Sequence, residues 1–386
     1  MTAGTATSTT ATTTTTTTND KNDISYNEDE LLVLKDLRRY LSPNKNNKNN
    51  TDNDDDDDDD TMKMSTTWQQ EHRRAVAIPV AAMNALLGVV ERTEAGTMMG
   101  LQDELREASQ AMLSWSHRHT DRSDIALRSG CELFLKHITR TFLELPNFEE
   151  CRAEILERGK RFAGMSLAAR DRIASVSHEF VQDGVTVLTH GWSRVVASLL
   201  LKAAETKQFD VVILEGRPDA SGAKAAAFFA NAGIPTTLIL DAAMGYTMER
   251  VDVVLVGAEG VVENGGVVNK MGTYALATCA RAHDKPFYVA AESYKFARLY
   301  PLNQLDMPTK RTPLEFYDTA VPMMDDTDNK ETPTKTEPSK VSVPGTVKVD
   351  NPTCDYTPAK FITLLFTDIG VLTPSAVSDE LIRLYQ

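Results

Sequence analysis

The spacing of apolar residues divides the chain into two regions. From Trp68 to about Asp183, apolar side chains recur at intervals of three and four, as in VAAMNALLGVV, GCELFLKHI and LAARDRIASVSHEF. This period is typical of amphipathic helices whose apolar faces pack together. A shorter segment of the same kind, DELLVLKDLRRYL, precedes them. We therefore predict an all-helical domain over residues 24–183.

After Asp183 the pattern changes to short β-rich apolar runs, most of them separated by stretches compatible with helices. The runs are VTVLTH (185–190), DVVILEG (210–216), PTTLILD (235–241), DVVLVGA (252–258), PFYVAAE (286–292) and FITLLFT (361–367). Near-continuous apolar strands belong to a parallel sheet that is covered on both faces. The fold class is therefore α/β, with an N-terminal all-helical domain followed by a Rossmann-like α/β domain over residues 184–386 that has a mainly parallel sheet.

Three low-complexity segments interrupt this pattern. They are a Thr-rich leader (1–23), an Asn/Asp insertion (about 42–61) and a loop of Pro, Thr and mixed charge (about 325–351). Asp52 and the run Asp54–Asp60 supply more than half of the net charge of −14. Polar segments without apolar residues do not fold into a core. We expect all three to be disordered surface segments.

The composition narrows the possible function classes. No apolar run approaches the roughly 18–20 residues of a membrane span, and the N-terminus has no signal-peptide pattern. The four cysteines lie far apart, which favours reduced thiols in the cytosol. There is no HExxH pattern and no basic stripe with interleaved aromatics, so we predict no metal site and no direct contact with nucleic acid.

Polar residues cluster after three of the predicted strands, where open α/β sheets bind ligands. The candidate ligand-binding residues are His190, Gly191, Ser193 and Arg194 after the first strand, Arg217 and Ser221 after the second, and Glu259, Asn264, Asn269 and Lys270 after the fourth. Arg217 and Lys270 supply positive charge. Ser221-Gly222 and the Asn-Gly-Gly turn could supply backbone N–H groups at helix N-termini, which suits a phosphate-sized anion.

Simpler interpretations of the same residues stay open. We interpret VGAEGVVENGGVVNKMGT (256–273) as a Gly-rich loop, but glycines at strand ends also serve in plain turns. His190 equally suits a structural hydrogen bond. Neither GxGxxG nor GxxxxGK[ST] occurs, so the sequence gives no support for nucleotide binding.

The same stretches resemble a known family. VTVLTHGWSRVV, RPDASG, VDVVLVGAEGVVENGGVVNKMGTYALA, KPFYVAAESYKF and the last thirty residues are similar to the family of the α, β and δ regulatory subunits of eukaryotic translation initiation factor 2B. This family also contains the methylthioribose-1-phosphate and ribose-1,5-bisphosphate isomerases. The resemblance covers roughly residues 68–386, apart from the loop at 325–351. GAEGVVENGGVVNK and TPSAVSDELI favour the α type.

The resemblance implies a pocket that no longer catalyses. The isomerases use a cysteine and an aspartate where this chain has Gly191 and Glu259. Sugar-phosphate isomerisation needs a proton donor and acceptor at the substrate, so we predict no catalytic residue and no required cofactor. Asn269, Lys270 and Arg217 match the family's ligand motifs, while Ser221 replaces a glutamine. A phosphorylated sugar is therefore the expected ligand.

The resemblance also implies partners. These are a second copy of the chain (a homodimer), the β, δ, γ and ε subunits of the same exchange factor, and the phosphorylated α subunit of initiation factor 2. MGLQDELREASQAM and DIALRSGCELFLKHITRTF are candidates for the sensing face. The last third of the chain is the expected dimer surface. Aromatic residues such as Phe287, Tyr294, Phe296 and Tyr300 are its candidates, and some of them are expected to lie in the core instead. An active sugar-phosphate isomerase and a free-standing metabolite-binding protein remain as alternatives.

Overall fold

The computed structural model describes residues 31–41, 76–120, 123–307, 309–312, 316–318, 339–341 and 343–385. The predicted segments at 1–23 and 42–61 lie outside these residues, as does most of the predicted loop at 325–351. Within that loop, Ser339–Val341 pairs antiparallel with Phe316–Asp318. The prediction of an unstructured loop is therefore wrong for these three residues, because pairing depends on a second segment that local composition does not reveal.

Helices occupy the described chain up to residue 177. They are α1 (Leu32–Leu41), α2 (Ile78–Arg92), α3 (Met98–His119), α4 (Ile125–Glu144) and α5 (Phe148–Ser177). Helix α2 is rich in Ala, Leu and Val and lies at the centre, in contact with the other four. The Asn147 side chain caps α5 by accepting hydrogen bonds from the backbone N–H groups of Glu149 and Glu150. These helices form the all-helical region that the apolar period predicts.

The second region is built on strands and shorter helices. The strands are β1 (Thr186–His190), β2 (Asp210–Leu214), β3 (Thr236–Ile239), β4 (Val253–Gly257), β5 (Gly260–Val262), β6 (Val267–Lys270), β7 (Phe287–Ala290), β8 (Phe296–Ala297), β9 (Phe316–Asp318), β10 (Ser339–Val341), β11 (Cys354–Thr357), β12 (Leu364–Thr367) and β13 (Gly370–Leu372). The helices are α6 (Arg194–Ala204), α7 (Gly222–Asn231), α8 (Met244–Met248), α9 (Thr273–Ala282) and α10 (Val377–Tyr385).

The main sheet has seven strands in the order β13-β12-β7-β4-β1-β2-β3. Every neighbouring pair is parallel except β12 and β13. The chain order reverses between β1 and β4, which is the switch point at which Rossmann-type sheets open a ligand crevice. The predicted Rossmann-like, mainly parallel sheet is confirmed, and each of the six apolar runs supplies one of its strands.

A second sheet, in the order β11-β6-β5-β8, corrects the interpretation of residues 256–273. This stretch is not a Gly-rich loop: β5 and β6 form an antiparallel hairpin. Asn264 closes the hairpin, since its Oδ1 accepts the Gly266 N–H at 3.0 Å and its Nδ2 donates to the Pro301 carbonyl at 2.9 Å. The Asn-Gly-Gly turn therefore lies in a hairpin rather than at a helix N-terminus.

Buried polar contacts join the two regions. The Ser129 Oγ of α4 is 2.8 Å from the Phe296 carbonyl. Glu292, directly after β7, lies 3.5 Å from Arg170 Nε of α5 and 2.7 Å from Lys295 Nζ. All three of these charged side chains are largely buried. The helices and the sheet are therefore joined by a buried charge cluster as well as by apolar contact.

Three of the four aromatic residues named as candidates for the dimer surface lie in the core. Phe287, Tyr294 and Phe296 are each no more than 2% exposed, whereas Tyr300 is 62% exposed. Phe287 lies in a central strand, and Tyr294 packs into the core of the helical region. None of the helices in the described parts of the chain is long and apolar enough to cross a lipid bilayer.

Candidate functional site

The centre of the candidate site is Lys270, the last residue of β6. Its Nζ donates to Ser221 Oγ at 2.6 Å and to the Asp219 carboxylate. Ser221 Oγ also accepts the backbone N–H of Trp192 at 3.1 Å. One ammonium group and one hydroxyl thus connect the segments that follow β1, β2 and β6. Burial raises the pKa of Asp219, but the hydrogen bond and charge of Lys270 lower it further, to below its usual range.

The loop after β2 is fixed by Asp241, which follows β3. Asp241 Oδ1 accepts the Gly216 N–H at 2.9 Å, and its Oδ2 accepts the Arg217 N–H at 2.7 Å. The Arg217–Pro218 peptide bond is cis. The Arg217 side chain is 62% exposed, with its Nε 3.5 Å from Glu215 Oε2. Arg217 therefore presents a solvated positive charge on a loop whose backbone is held in place.

His190 forms a buried part of the site at the end of β1. Its Nδ1 is 3.4 Å from Thr273 Oγ1, and its Nε2 is 3.9 Å from Asp241 Oδ1. Burial lowers the pKa of His190, with Asp241 opposing and Lys270 adding to the shift, so the ring is neutral at neutral pH. Asn269 Nδ2 donates to the same Thr273 hydroxyl at 3.1 Å. The Thr273 hydroxyl thereby brings His190 and Asn269 together.

Gly191 and Glu259 are the two residues that the sequence analysis expects in place of catalytic groups. Gly191 has a φ of +60°, and a Cβ placed there would lie 2.8 Å from Ser221 Oγ. A side chain at 191 would therefore strain the backbone and displace Ser221. Glu259 is half-buried between β4 and β5, and its backbone N–H donates to Val268. Burial raises the pKa of the Cys354 thiol to about 12, and the Glu259 charge adds to this shift.

Three predicted site residues have structural contacts away from Lys270. Asn264 closes the β5–β6 hairpin, as described above. Ser193 is the N-cap of α6, where its Oγ accepts the Val196 N–H at 3.5 Å. Arg194 Nη1 donates to the Val76 carbonyl at 3.3 Å, just before α2. Position after a strand does not distinguish a ligand-facing residue from a cap or a turn, and this is why the sequence places all three in the pocket.

Three acidic residues of the site are absent from the sequence prediction: Asp241, described above, Asp219 and Asp355. Asp219 lies in the quoted RPDASG motif, between the candidate residues Arg217 and Ser221, and this position was the available signal. Asp355 of β11 had no such signal, because strand pairing brings it beside Asn269 from far along the chain. Its Oδ2 accepts the N–H groups of Gly272 and Tyr274 at 2.8 and 3.0 Å, at the start of α9.

Asp355 is buried, and no cationic side chain of the described residues forms an ion pair with it. Its Oδ1 has no hydrogen-bond partner among the residues that the structure describes. Burial raises its pKa to about 7, although the two backbone N–H groups oppose the shift. The N-terminus of α9, which would otherwise attract an anionic ligand, is already filled by this carboxyl group.

Taken together, these contacts form a crevice with one ammonium group, a neutral imidazole, hydroxyl groups and an exposed guanidinium nearby. This chemistry suits a small ligand that carries phosphate and hydroxyl groups. Within the described residues, no group of three or more His, Cys, Asp or Glu side chains could hold a metal ion.

The fold and the site define an α/β protein with a polar crevice at the switch point of its main sheet, preceded by a helical region. Residues 71–374 match the model of the Initiation factor 2 subunit family. The chain therefore belongs to that family.

Several curated relatives share most of their length with this chain. The Dictyostelium discoideum protein named translation initiation factor eIF2B subunit alpha is 44% identical over 80% of this chain and 92% of its own length. Its Caenorhabditis elegans namesake is 33% identical over 79% and 92%. The ribose 1,5-bisphosphate isomerase of Archaeoglobus fulgidus is 30% identical over 76% and 91%.

Solved structures share the fold. A chain of the tetrameric eIF2B-beta2-delta2 complex from C. thermophilum aligns with a TM-score of 0.61 at 19% identity, over 85% of this chain and 94% of that one. The Pyrococcus horikoshii translation initiation factor eIF-2B aligns with a TM-score of 0.56 at 24% identity, over 81% and 98%. At this level of identity the similarity establishes the architecture alone.

Proposed function

We propose that this chain is a non-catalytic regulatory subunit of the guanine-nucleotide exchange factor for translation initiation factor 2, of the α type. The observation that carries the proposal is the 44% identity to the Dictyostelium subunit alpha over 92% of that protein. The ribose 1,5-bisphosphate isomerases are more distant, at 30–32%. In this role the chain acts in the cytosol, forms a homodimer and assembles with the β, δ, γ and ε subunits.

The site supports the absence of isomerase activity. Gly191 offers no proton donor or acceptor, and its surroundings leave little room for one because Ser221 Oγ lies where a side chain would begin. Glu259 extends one methylene further than the aspartate of the isomerases. Losing one acid–base group typically costs about 10²–10⁴ in rate, and here one group is missing and the other altered.

The helical region is the proposed sensor of the phosphorylated α subunit of initiation factor 2. Phosphorylation adds about −1.5 to −2 charges to that partner. Helices α3 and α4 carry the candidate sensing face, and Lys310 fixes their ends. Its Nζ donates to the Ser116 carbonyl at 2.7 Å and lies 2.9 Å from Asp124 Oδ1. This contact joins the ends of α3 and α4 to the segment that follows β8.

Reconstituted nucleotide exchange tests the proposal. GDP release from initiation factor 2 would be measured with the β, γ, δ and ε subunits, with and without this chain, in the presence of phosphorylated and unphosphorylated factor. We expect inhibition by the phosphorylated factor to depend on the chain. Ribose 1,5-bisphosphate would be assayed in parallel, with no turnover expected. Exchange that is regulated equally without the chain, or measurable isomerisation, would contradict the proposal.

The crevice around Lys270 has a second, compatible role. We propose that it binds a phosphorylated sugar as a regulatory ligand, with Lys270 meeting the phosphate and His190 or Asn269 meeting hydroxyl groups. The supporting observation is the convergence of Lys270, Ser221 and His190 on one crevice. Since Lys270 is paired with Asp219, the ligand must displace that carboxylate or share the lysine with it.

A further inference from the structure

A cavity of about 170 Å³ lies within the helical region, between α2, α4 and α5. Most of its wall is apolar and is formed by Met83, Leu87, Phe134, Phe162 and Met165. Gly159 of α5 also lines it, and a Cβ at this position would clash with the Leu87 side chain. Helices α2 and α5 are therefore in close contact at this side of the cavity.

One polar atom in the cavity wall lacks a partner. His137 of α4 lines the cavity, and its Nε2 is buried with no hydrogen-bond partner in the described part of the chain. Burial lowers the pKa of His137, and the positive charge of Arg158 adds to this shift, so the ring is neutral. The Arg158 guanidinium is itself engaged by Glu144 and Glu154. An unpaired buried polar atom is unfavourable, and a ligand that carries one polar group would satisfy it.

We propose that this cavity binds a small apolar molecule with a single hydrogen-bonding group, of the size and kind of a phenol or an indole, which pairs with His137 Nε2. The volume supports a single ring, because an apolar protein cavity of about 150 Å³ binds benzene. The site is separate from the crevice around Lys270 and does not depend on the function proposed above.

Methionine-methyl NMR of the full-length chain tests this proposal, because Met83 and Met165 line the cavity. Phenol and toluene are the two probes, and Met99 and Met248 are the internal controls. Met99 is exposed on α3 and Met248 is buried in the α/β region. We expect both probes to shift the Met83 and Met165 signals saturably, and phenol to bind more tightly. The control signals should not move.

Two variants separate the roles of the histidine and the cavity. His137→Leu removes the hydrogen bond and keeps an apolar wall, so phenol should bind about three- to tenfold more weakly while toluene is unaffected. Met165→Trp places a large ring at the half-open edge of the cavity and should abolish binding of both. Circular dichroism confirms that each variant is folded.

Four results would overturn the proposal. One is the absence of a saturable shift at Met83 and Met165 up to the solubility limit of the probes. The second is equal affinity for phenol and toluene in the parent chain, and the third is unchanged binding in Met165→Trp. The fourth is unchanged affinity for phenol in His137→Leu, because His137 Nε2 would then make no hydrogen bond to the probe.

Discussion

Two buried carboxyl groups in this molecule have opposite surroundings. Glu292 lies where the helices meet the sheet, between Arg170 and Lys295, at 3.5 and 2.7 Å. Burial raises its pKa, but the two positive charges lower it further, to about 2. Asp355 lies beside the strand-end crevice, where its carboxyl group accepts hydrogen bonds from backbone N–H groups and from no side chain of the described residues. Burial therefore raises its pKa to about 7.

Near neutral pH the charge of Glu292 is constant, whereas the charge of Asp355 changes. At neutral pH the cluster around Glu292 holds a fully ionised carboxylate, so the contact between the regions does not change near physiological pH. Asp355 titrates in that range, at the start of α9 and opposite Asn269. Of the two carboxyl groups, Asp355 beside the crevice changes its charge near neutral pH, and Glu292 between the two regions does not.

The largest effect is expected from Glu292→Gln. The substitution leaves the positive charges of Arg170 and Lys295 buried without the carboxylate. Breaking a buried ion pair in this way costs about 3–5 kcal/mol. Urea unfolding would measure the free energy of unfolding. Asp103→Asn is the matched control, since its pair with Arg106 is 62% and 58% exposed and should contribute less than about 1 kcal/mol. If both variants lost the same free energy of unfolding, the buried Glu292 cluster would contribute no more to stability than an exposed ion pair.

The second prediction concerns the pH dependence of the free energy of unfolding, to which Asp355 and Glu292 contribute with opposite signs. Asp355 has a folded pKa of about 7, against roughly 3.9 when unfolded. The folded state therefore binds more protons in this window, and the free energy of unfolding falls as pH rises from about 4 to about 7. Asp355→Asn should remove this pH dependence. As pH rises across the window, the stability of the variant relative to the parent chain should therefore increase by on the order of 2–3 kcal/mol.

Glu292 provides the opposite case within the same chain. Its folded pKa of about 2 lies below the unfolded value of roughly 4.3. Its contribution to stability is therefore present above about pH 4.3 and is lost as pH falls toward 2. Urea titrations of both variants across the pH range would check the two slopes. The comparison would be contradicted if both groups changed the free energy of unfolding in the same direction as pH rises.

The sequence predicts the strands of the main sheet but misses the hairpin beside the crevice. The apolar runs identify the main strands because a buried parallel strand must be apolar on both faces. The β5–β6 hairpin is missed because Gly260, Gly265 and Gly266 resemble loop residues. The Asn-Gly step between two Gly-Val-Val stretches is a hairpin signal and would have indicated it.

The remaining site residues depend on contacts between distant segments. Asp355 meets the N-terminus of α9 only because β11 pairs with β6. Ser193 and Arg194 follow β1 as a ligand-binding residue would, yet one caps a helix and the other reaches the segment before α2. Local sequence gives the position of a side chain along a strand, whereas its partner is set by topology.

The third prediction asks how rigid the crevice is at Gly191. Alanine there must adopt a φ of +60° and places Cβ 2.8 Å from Ser221 Oγ. Gly184→Ala is the matched control, since it has a φ of +78° and no atom near its Cβ position. The left-handed backbone costs about 1–2 kcal/mol in both. Gly191→Ala should lose about 1 kcal/mol more from overpacking. Equal losses would mean that Ser221 moves freely and that the crevice tolerates a side chain.

The smallest effect on stability, and the most specific for function, is expected from Lys270→Met. Its partner Asp219 is 52% exposed, so losing the pair should change the free energy of unfolding by less than about 1 kcal/mol. Binding of a sugar phosphate should nevertheless weaken about tenfold or more, because a charge-assisted phosphate contact is lost. Isothermal titration calorimetry with ribose 1,5-bisphosphate measures this. Lys202→Met, at the C-terminal end of α6 and paired with Glu205 at 2.6 Å, should bind like the parent chain. Unchanged affinity in Lys270→Met would show that the crevice is not the phosphate site, and Asp355 would then border a structural contact instead of an adjustable pocket.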